Sequence, residues 1–367
     1  MKYLLLSFLF PLLYYQSNAQ SSTKTKNIFI VTIDGIRWQE VFKGANAGII
    51  NDNRYTSNTE LARLMYLDSS EEESRKKLLP FFWNVIEQKG RLYGNREYRN
   101  KVDVANAYKF SYPGYNEIFT GYPDLYVNSN KPKENLNINV LEYLNSFSEF
   151  KNKVVAFSSW DIFPYILNEK RSGFPVFSGY DSVDESGNFD LHIFNNAQKN
   201  LILEKTGTKQ DALTFIAATE YIKANKPKVV FIGFGECDED AHKGKYDKYL
   251  QHLNEAGNMI QQLWYFIQST PDYKDKTTLI ITTDHGRGKR KWTDHDILVK
   301  GSGNAWLAII GPDIKPEGEM QLPGKLYQKQ LASTISKFLG YNFITNHAVA
   351  KSIDFEELEK TELHVIK

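Results

Sequence analysis

Residues 28–35 read Ile-Phe-Ile-Val-Thr-Ile-Asp-Gly, and this stretch decides the fold. A run of apolar and β-branched residues without alternation predicts a strand that is buried on both faces of a sheet. Four further runs are comparable, at 154–157, 229–234, 278–282 and 306–310. Strands of this kind belong to sheets whose two sides are both covered by helices.

Amphipathic helical patterns separate these runs. Pro80 opens the first pattern, because proline suits the first turn of a helix, and Gly340 ends the last. The four predicted helices are 80–88, 212–224, 246–269 and 327–339. Strands that alternate with helices predict an α/β fold with a mostly parallel central sheet and helices on both faces. The charged block at 68–77 is expected to be a solvated loop.

The first 19 residues have the organisation of a secretory signal peptide. Lys2 supplies the positive charge, residues 3–15 are almost wholly apolar, and 17–19 read Ser-Asn-Ala, a small-x-small cleavage pattern. Cleavage after Ala19 would export the protein to the periplasm or the extracellular space. The alternative is an uncleaved anchor, which Pro11 disfavours because it interrupts the run. No later stretch of about 18 apolar residues follows, so we expect no integral membrane contact.

The composition of the chain argues against two properties: binding to nucleic acid and stabilisation by disulfides. The chain has 367 residues, with 45 basic and 44 acidic side chains and a net charge of +1. A charge this balanced does not favour binding to a nucleic acid polymer. Cys237 is the one cysteine, so stability must come from packing rather than from an internal disulfide. Residues 20–367 are expected to form a single domain with insertions.

Three acidic residues lie where strand-like runs end. Asp34 follows the first run, Asp238 lies just past 229–234, and Asp284 lies just past 278–282. In open α/β sheets, ligands bind beyond the carboxyl ends of the strands. A single Asp in such a place is more often a turn residue or a helix cap. Three that converge on one sheet edge indicate a shared site.

Histidines accompany these acids at spacings that suit a metal site. Asp238 and His242 are four residues apart, which puts both on one face of a helical turn. Asp284 and His285 precede a glycine, and His295 follows in Trp-Thr-Asp-His. Imidazole with carboxylate suits zinc better than magnesium or calcium. Two such sites roughly 4 Å apart can clamp the attacking and leaving oxygens of a phosphoryl transfer.

Ser111 has the surroundings of a nucleophile. A helix is predicted to begin near Pro113, which places the Ser111 oxygen at a helix N-terminus, where backbone N–H groups and the dipole favour negative charge. A metal that binds the serine oxygen directly removes the need for a general base. The alternative interpretation is that Ser111 only caps this helix.

These motifs, in their order along the chain, resemble the alkaline phosphatase superfamily, and in layout its nucleotide pyrophosphatase/phosphodiesterase-like branch. The motifs that carry the resemblance are Ile33-Asp34-Gly35, Ser111-Tyr112-Pro113 leading to Thr120-Gly121-Tyr122-Pro123, Asp238 through His242, Asp284-His285-Gly286, and His295. The match covers about residues 28–312. It implies an alkaline phosphatase-like sandwich and a single catalytic domain over 20–367.

The resemblance also implies two zinc ions, with other divalent metals possible, and a covalent phosphoserine intermediate. One zinc would be held by Asp238, His242 and His295. The other would be held by Asp34, Asp284 and His285, with Ser111 bound to it as well. The superfamily's layout thus assigns every member of the predicted ligand set.

Two further groups have open assignments. Asn130 is expected to supply the side-chain amide that this branch places on a non-bridging phosphoryl oxygen, with Asn128 and Asn116 as competitors. The basic run at 287–291 could bind a second anionic group of the substrate. The alternative, that this run is a solvated loop, is equally compatible with the sequence.

Two departures from the family pattern affect the expected substrate. Asp296 follows His295, where the family usually has glycine, so His295 is the least secure ligand. Gly114 and Tyr115 stand where the diesterases usually have Asn-His. Sulfatases of the superfamily carry Cys/Ser-x-Pro-x-Arg, and the Ser111 motif has Tyr115 in place of that arginine. Formylglycine and ordinary sulfatase activity are therefore not expected.

The sequence predicts an exported two-zinc phosphoric ester hydrolase, a phosphodiesterase or phosphatase, that acts on a small-molecule phosphate ester. The layout favours diesters slightly. The alternatives are a sulfatase-like, phosphoryl-transferase or mutase member of the same superfamily, and a non-catalytic secreted binding protein. The export signal argues against a mutase of central metabolism, the lack of a membrane domain against a lipid-linked transferase, and the intact ligand set against a binding protein.

Overall fold

The computed structural model describes residues 23–185, 187–202 and 204–355. The expected signal peptide, residues 1–19, lies outside the described residues. Within those three ranges, no helix has both the length and the apolar character that crossing a membrane requires.

The strands of the described residues form two sheets. They are β1 (Asn27–Ile33), β2 (Gly90–Tyr93), β3 (Asn100–Asp103), β4 (Val154–Ser158), β5 (Val176–Ser178), β6 (Val229–Phe234), β7 (Thr277–Thr282), β8 (Asn304–Ala305), β9 (Leu307–Ile310), β10 (Gly318–Glu319) and β11 (Gly324–Tyr327). The central sheet has eight strands in the order β10-β2-β9-β7-β1-β6-β4-β5, and the smaller sheet has the order β11-β3-β8.

Strand β1 lies in the middle of the central sheet, parallel to both of its neighbours. Ile28 is in register with Val229 of β6 and with Thr278 of β7. Strand β9 alone runs opposite to the rest, since it pairs antiparallel with both β7 and β2. All five predicted strands form, and the predicted α/β class with a mostly parallel sheet is confirmed.

Both faces of β1 are buried, and each face belongs to a different core. Phe29, Val31 and Ile33 pack on one side of the sheet, whereas Ile28 and Ile30 pack on the other. Because successive side chains of a strand point to opposite faces, an unbroken apolar run supplies both cores at once.

Helices cover the two faces. They are α1 (Trp38–Lys43), α2 (Ala47–Ile50), α3 (Thr59–Tyr66), α4 (Glu71–Leu78), α5 (Glu87–Lys89), α6 (Ser111–Thr120), α7 (Val140–Asn145), α8 (Phe163–Ile166), α9 (Glu169–Ser172), α10 (Phe189–Leu201), α11 (Asp211–Asn225), α12 (Glu236–His242), α13 (Tyr246–Ser269) and α14 (Leu331–Phe338). A π-helical segment, Phe82–Ile86, precedes α5, and a 3-10 turn, Gln328–Gln330, precedes α14. The four predicted helices correspond to these elements.

The prediction of a loop at 68–77 is wrong. Most of this charged block forms α4. The Ser70 hydroxyl accepts a hydrogen bond from the Glu73 backbone N–H at 3.1 Å, which caps the helix. Acidic residues fill its first turn and basic residues its last. Charges in this order stabilise a helix through its dipole, so the block favours α4 despite its polarity.

Candidate metal centre

The carboxyl ends of β1, β6 and β7 meet at one edge of the central sheet, because these three strands are parallel neighbours. Asp34 directly follows β1, and Asp284 lies two residues beyond β7. Helix α12 begins just after β6 and carries Asp238 and His242. The structure brings these residues, together with His285 and His295, to a single place at that edge.

One group of ligand atoms consists of Asp34, Asp284 and His285, which lie within 4.8 Å of one another. His285 Nε2 is 3.5 Å from Asp34 Oδ1 and 3.3 Å from Asp284 Oδ2. Both of these carboxylate oxygens are buried, and no donor among the described residues reaches them. A buried acceptor without a donor is costly, so this pair of oxygens fits a cation between them.

The second group lies beside the first and contains Asp238, His242 and His295. His242 Nε2 is 3.1 Å from Asp238 Oδ2 and 3.0 Å from His295 Nε2. His295 Nε2 is 3.8 Å from Asp238 Oδ1. His285 borders this group too, at 4.0 Å from Asp238 Oδ1, but it lies closer to Asp34 and Asp284. The ligand atoms of Asp238, His285 and His295 lie within 4.8 Å of one another, so His285 borders both groups, while His242 adjoins the second through Asp238 and His295.

Hydrogen bonds around the centre decide which ring nitrogens are free. His285 Nδ1 lies 2.9 Å from the Gly286 carbonyl, which accepts, so Nδ1 carries the proton. His295 Nδ1 likewise faces the Lys109 carbonyl at 3.4 Å. In both rings the Nε2 lone pair is left to point into the centre, as metal-binding histidines require.

Burial shifts the pKa values of the candidate ligands in the directions that favour binding of a cation. Burial, and then the charges of Asp284 and Asp238, raise the pKa of Asp34. Burial, and then Asp238, raise the pKa of Asp284 to about 7. Burial lowers the pKa of His285 to about 4 and also lowers that of His295. Neutral imidazoles and carboxylates that repel one another make a ligand set that a divalent cation stabilises.

Asp238 is the exception, because a buried arginine lies against it. Burial raises the pKa of Asp238, but the Arg287 guanidinium and then His242 outweigh burial and lower it. Arg287 Nη2 bonds to Asp238 Oδ1, and its Nη1 donates to the Thr293 carbonyl at 2.6 Å. Arg287 is only 1% exposed. It therefore stands apart from the exposed remainder of the basic run, a role that the sequence did not reveal.

Ser111 is the first residue of α6, so the helix begins two residues earlier than Pro113. Phe110 precedes the helix, and no side chain caps it. The Ser111 hydroxyl instead faces the centre, where its Oγ lies 3.3 Å from His285 Nε2. Ser111 is 5% exposed. The interpretation of Ser111 as a mere helix cap does not describe this geometry.

Two neighbours of Ser111 explain why α6 can approach the centre so closely. A side chain on Gly114 would place its Cβ 2.6 Å from the Asp284 carbonyl oxygen, so glycine permits the contact. The Tyr115 hydroxyl donates to Asp34 Oδ2 at 3.1 Å. Both residues depart from the diesterase pattern, and this departure was the one sequence signal that marked them.

Comparisons with solved structures identify the fold. Alkaline phosphatase PafA matches with a TM-score of 0.55 and 12% identity, over 90% of this chain and 98% of that one. The phosphonate monoester hydrolase of Agrobacterium radiobacter matches with a TM-score of 0.56 and 11% identity, over 91% and 77%. The lipoteichoic acid synthase LtaP from Listeria monocytogenes matches with 0.52 and 11%, over 90% and 75%.

The chain has the alkaline phosphatase superfamily fold. No protein-family model matches its sequence. No curated protein matches it either. At this level of identity the likeness shows the fold alone, and the chemistry of the site depends on the residues of this alkaline phosphatase-like chain.

Asparagines near Ser111 in this alkaline phosphatase-like fold differ in the hydrogen bonds that they already make. Asn130 Oδ1 accepts from the Tyr112 backbone N–H at 2.9 Å, which places its side chain beside Ser111. Asn116 is buried, and its amide is already used within the fold: Nδ2 donates to Tyr122 at 2.8 Å, and Oδ1 accepts from Asn135 and Asn137. Asn128 is exposed. The hydrogen bonds thus favour Asn130 over Asn116.

Proposed function

We propose that this protein is an exported two-zinc phosphoric ester hydrolase in which Ser111 is the nucleophile. The observation that carries the proposal is the position of the Ser111 hydroxyl, 3.3 Å from His285 Nε2, which itself lies 3.5 and 3.3 Å from two buried carboxylate oxygens without a donor. A hydroxyl at a helix N-terminus within a set of six metal-type ligands is an arrangement suited to nucleophilic attack on phosphorus.

The ligand chemistry supports zinc at both positions, since nitrogen and carboxylate donors are mixed in each set. Asp34, Asp284 and His285 would hold one ion, with Ser111 beside it, and Asp238, His242 and His295 would hold the other. When bound, such ions favour the ionised serine and reduce the charge that develops on phosphoryl oxygens.

The residues of the chain itself account for the remaining steps. Ser111 releases its proton to solvent, and its Oγ forms a bond to phosphorus as the ester oxygen leaves with its electron pair and takes a proton from solvent. Asn130 is exposed, and its Nδ2 would donate to a non-bridging oxygen while its Oδ1 stays bonded to Tyr112. Water then attacks the phosphoserine, the bond between phosphorus and Oγ breaks, and Ser111 regains a proton.

The preference for diesters is proposed from the order of motifs, which resembles the diesterase-like branch. The structural neighbours are named as a phosphatase, phosphonate monoester hydrolases, a sulfatase and a synthase, so the fold itself accommodates several ester classes. Tyr115 stands where sulfatases carry arginine, and it bonds to Asp34 instead. This contact supports a phosphoric ester as substrate rather than a sulfate ester.

The decisive experiment compares three esters on one preparation: an aryl phosphate, a bis-aryl phosphate and an aryl sulfate. We expect about two zinc ions per chain by elemental analysis, turnover of a phosphate ester, and a loss of at least about 1,000-fold in Ser111→Ala. Ser269→Ala, a substitution of an exposed serine outside the centre, is the matched control.

Purified protein without transition metal, or unchanged turnover in Ser111→Ala, would rule the proposal out. Metal binding without hydrolysis of any ester would favour the non-catalytic binding protein.

A further inference from the structure

A large cavity opens on the His295 side of the metal centre. Its volume is about 1220 Å³, and its wall includes His295, Trp38 and much of the segment 288–301. Ser111 is not part of this wall. Because the cavity reaches the candidate ligand His295 and not Ser111, the leaving part of a substrate that reacts at Ser111 would extend into it.

The wall of this cavity is strongly basic, although the chain as a whole carries a net charge of only +1. Its acidic members are Glu97, Asp294 and Asp296. Its cationic members are Lys43, Arg96, Lys289, Arg290, Lys291 and Lys300. A concave wall with an excess of positive charge focuses the electrostatic field and raises the local concentration of an anionic ligand.

Ion pairs within the fold use only half of these cations. The paired ones are Lys43 with Glu97, Arg96 with Asp103, and Lys291 with Asp294. The remaining acid, Asp296, is bound to the backbone, since its Oδ1 accepts from Leu298 at 2.7 Å and from Val299 at 3.1 Å. Each carboxylate of the wall is therefore already bound, either in an ion pair with a lysine or by hydrogen bonds from backbone N–H groups.

Three cations remain without a carboxylate partner among residues 23–185, 187–202 and 204–355: Lys289, Arg290 and Lys300. All three are exposed side chains of one segment that folds back on itself. The Lys289 backbone N–H donates to the Lys300 carbonyl at 3.4 Å, and Gly288 donates to Asp294 at 3.0 Å. The turn thus holds three unpaired positive charges close together, where a bound anion would relieve their mutual repulsion.

We propose that this cavity binds an oxyanion on the leaving group, so that the substrate is a phosphate ester carrying at least one further phosphate, sulfate or carboxylate. The proposal rests on the proposed function, because the reacting phosphorus must lie at the metal centre. Arg290 offers two-point hydrogen bonding to such an oxyanion, and the two lysines add charge. Trp38 provides an apolar wall beside them.

A binding experiment tests the charge of the site without relying on turnover. The probe is pyrene-1,3,6,8-tetrasulfonate, followed by fluorescence anisotropy on the full-length protein. The cavity variant combines Lys289→Gln, Arg290→Gln and Lys300→Gln. The control variant combines Lys151→Gln, Lys199→Gln and Lys274→Gln, which are exposed lysines outside the cavity and lower the net charge equally.

We expect saturable binding to the native protein that weakens with salt. The cavity variant should bind at least about tenfold more weakly, which corresponds to about 1.4 kcal/mol, and the control less than about twofold more weakly. Equal binding by the two variants, or no saturable binding by the native protein, would overturn the inference.

A kinetic experiment then separates this inference from the proposed function. The two substrates are 4-nitrophenyl phosphate and its 3-carboxymethyl derivative, which differ by one anionic group on the leaving side. The native protein should prefer the charged ester by about tenfold in kcat/KM, and the cavity variant should lose this preference while the control keeps it. Hydrolysis of both esters without preference refutes the inference alone. If neither monoester is hydrolysed, the same comparison is made with the two corresponding bis-aryl phosphates. No hydrolysis of any of the four esters refutes the proposed function, and the anion site is then judged by probe binding.

Discussion

The Tyr115 hydroxyl donates a hydrogen bond to Asp34 Oδ2 across 3.1 Å, and so joins the helix that begins at Ser111 to the first predicted ligand. Tyr115 is buried, and Thr32 Oγ1 donates to the same hydroxyl at 3.4 Å. With Oδ2 held in this way, Asp34 Oδ1 is left to face His285. The contact makes Tyr115 a positioning residue for Asp34 within the candidate metal centre.

Tyr115→Phe should weaken zinc binding and lower kcat/KM by about 10- to 100-fold, because Asp34 loses the hydrogen bond that orients it. The free energy of unfolding of the metal-free protein should fall by only about 1 kcal/mol. Competition with a chelator measures the zinc affinity. Tyr273→Phe is the control, since that buried hydroxyl donates to the Pro227 carbonyl. Equal losses of zinc affinity in the two variants would contradict this role.

Gly114→Ala should reduce kcat by about 100-fold while the protein stays folded, because the contact between α6 and the centre becomes too tight. The added Cβ would lie 2.6 Å from the Asp284 carbonyl oxygen, and backbone must move to accommodate it. Steady-state kinetics and circular dichroism provide the two readouts. At Gly207 the nearest heavy atom to an added Cβ is 3.7 Å away, so Gly207→Ala should retain activity. Full activity in Gly114→Ala would show that the close approach does not position Ser111.

Arg287→Gln should destabilise the metal-free protein by up to about 3 kcal/mol, because the partly buried Asp238 carboxylate is left without its main counterion. Zinc should recover part of this loss, since a bound cation neutralises the same carboxylate. Denaturation in urea, with zinc and with a chelator, measures both values. Lys291→Gln removes an exposed charge from the same segment and should change the stability little. A loss that zinc leaves unchanged would separate Arg287 from the metal centre.

Asp211→Asn should change how stability depends on pH. Asp211 accepts from Ser159 Oγ, Gly235 N and Glu236 N, and it ties β4 to the turn that leads into α12. Burial, and then the charge of Glu236, raise its pKa to about 7. Between about pH 4 and 7 the folded protein therefore keeps a proton that the unfolded chain has lost, and the stability from this group disappears as the pH rises through about 7.

The free energy of unfolding of the native protein relative to Asp211→Asn should accordingly fall by at most about 4 kcal/mol between pH 4 and pH 8. Urea denaturation in chelator at a series of pH values measures the difference, and the comparison cancels the titration of all other groups. A difference that is constant, or that grows with pH, would show that Asp211 is ionised throughout.

Much of the fold follows from local patterns in the chain. Apolar runs such as 229–234 must be strands buried on two faces, because their side chains leave no polar side for solvent. At 68–77 the charge composition predicts a loop, whereas the order of the charges and the Ser70–Glu73 capping pattern predict the helix that forms. The antiparallel direction of β9 has no local signal, because it depends on pairing with β2 and β7.

The sequence by itself determined that acids and histidines follow parallel strands, and hence which sheet edge holds the candidate centre. Only the tertiary structure decided which groups share that edge. Arg287 reaches Asp238 and Tyr115 reaches Asp34 across 49 and 81 positions of the chain. Periodicity and capping act over a few residues, whereas a buried counterion or hydrogen bond exists only once separate elements have packed together.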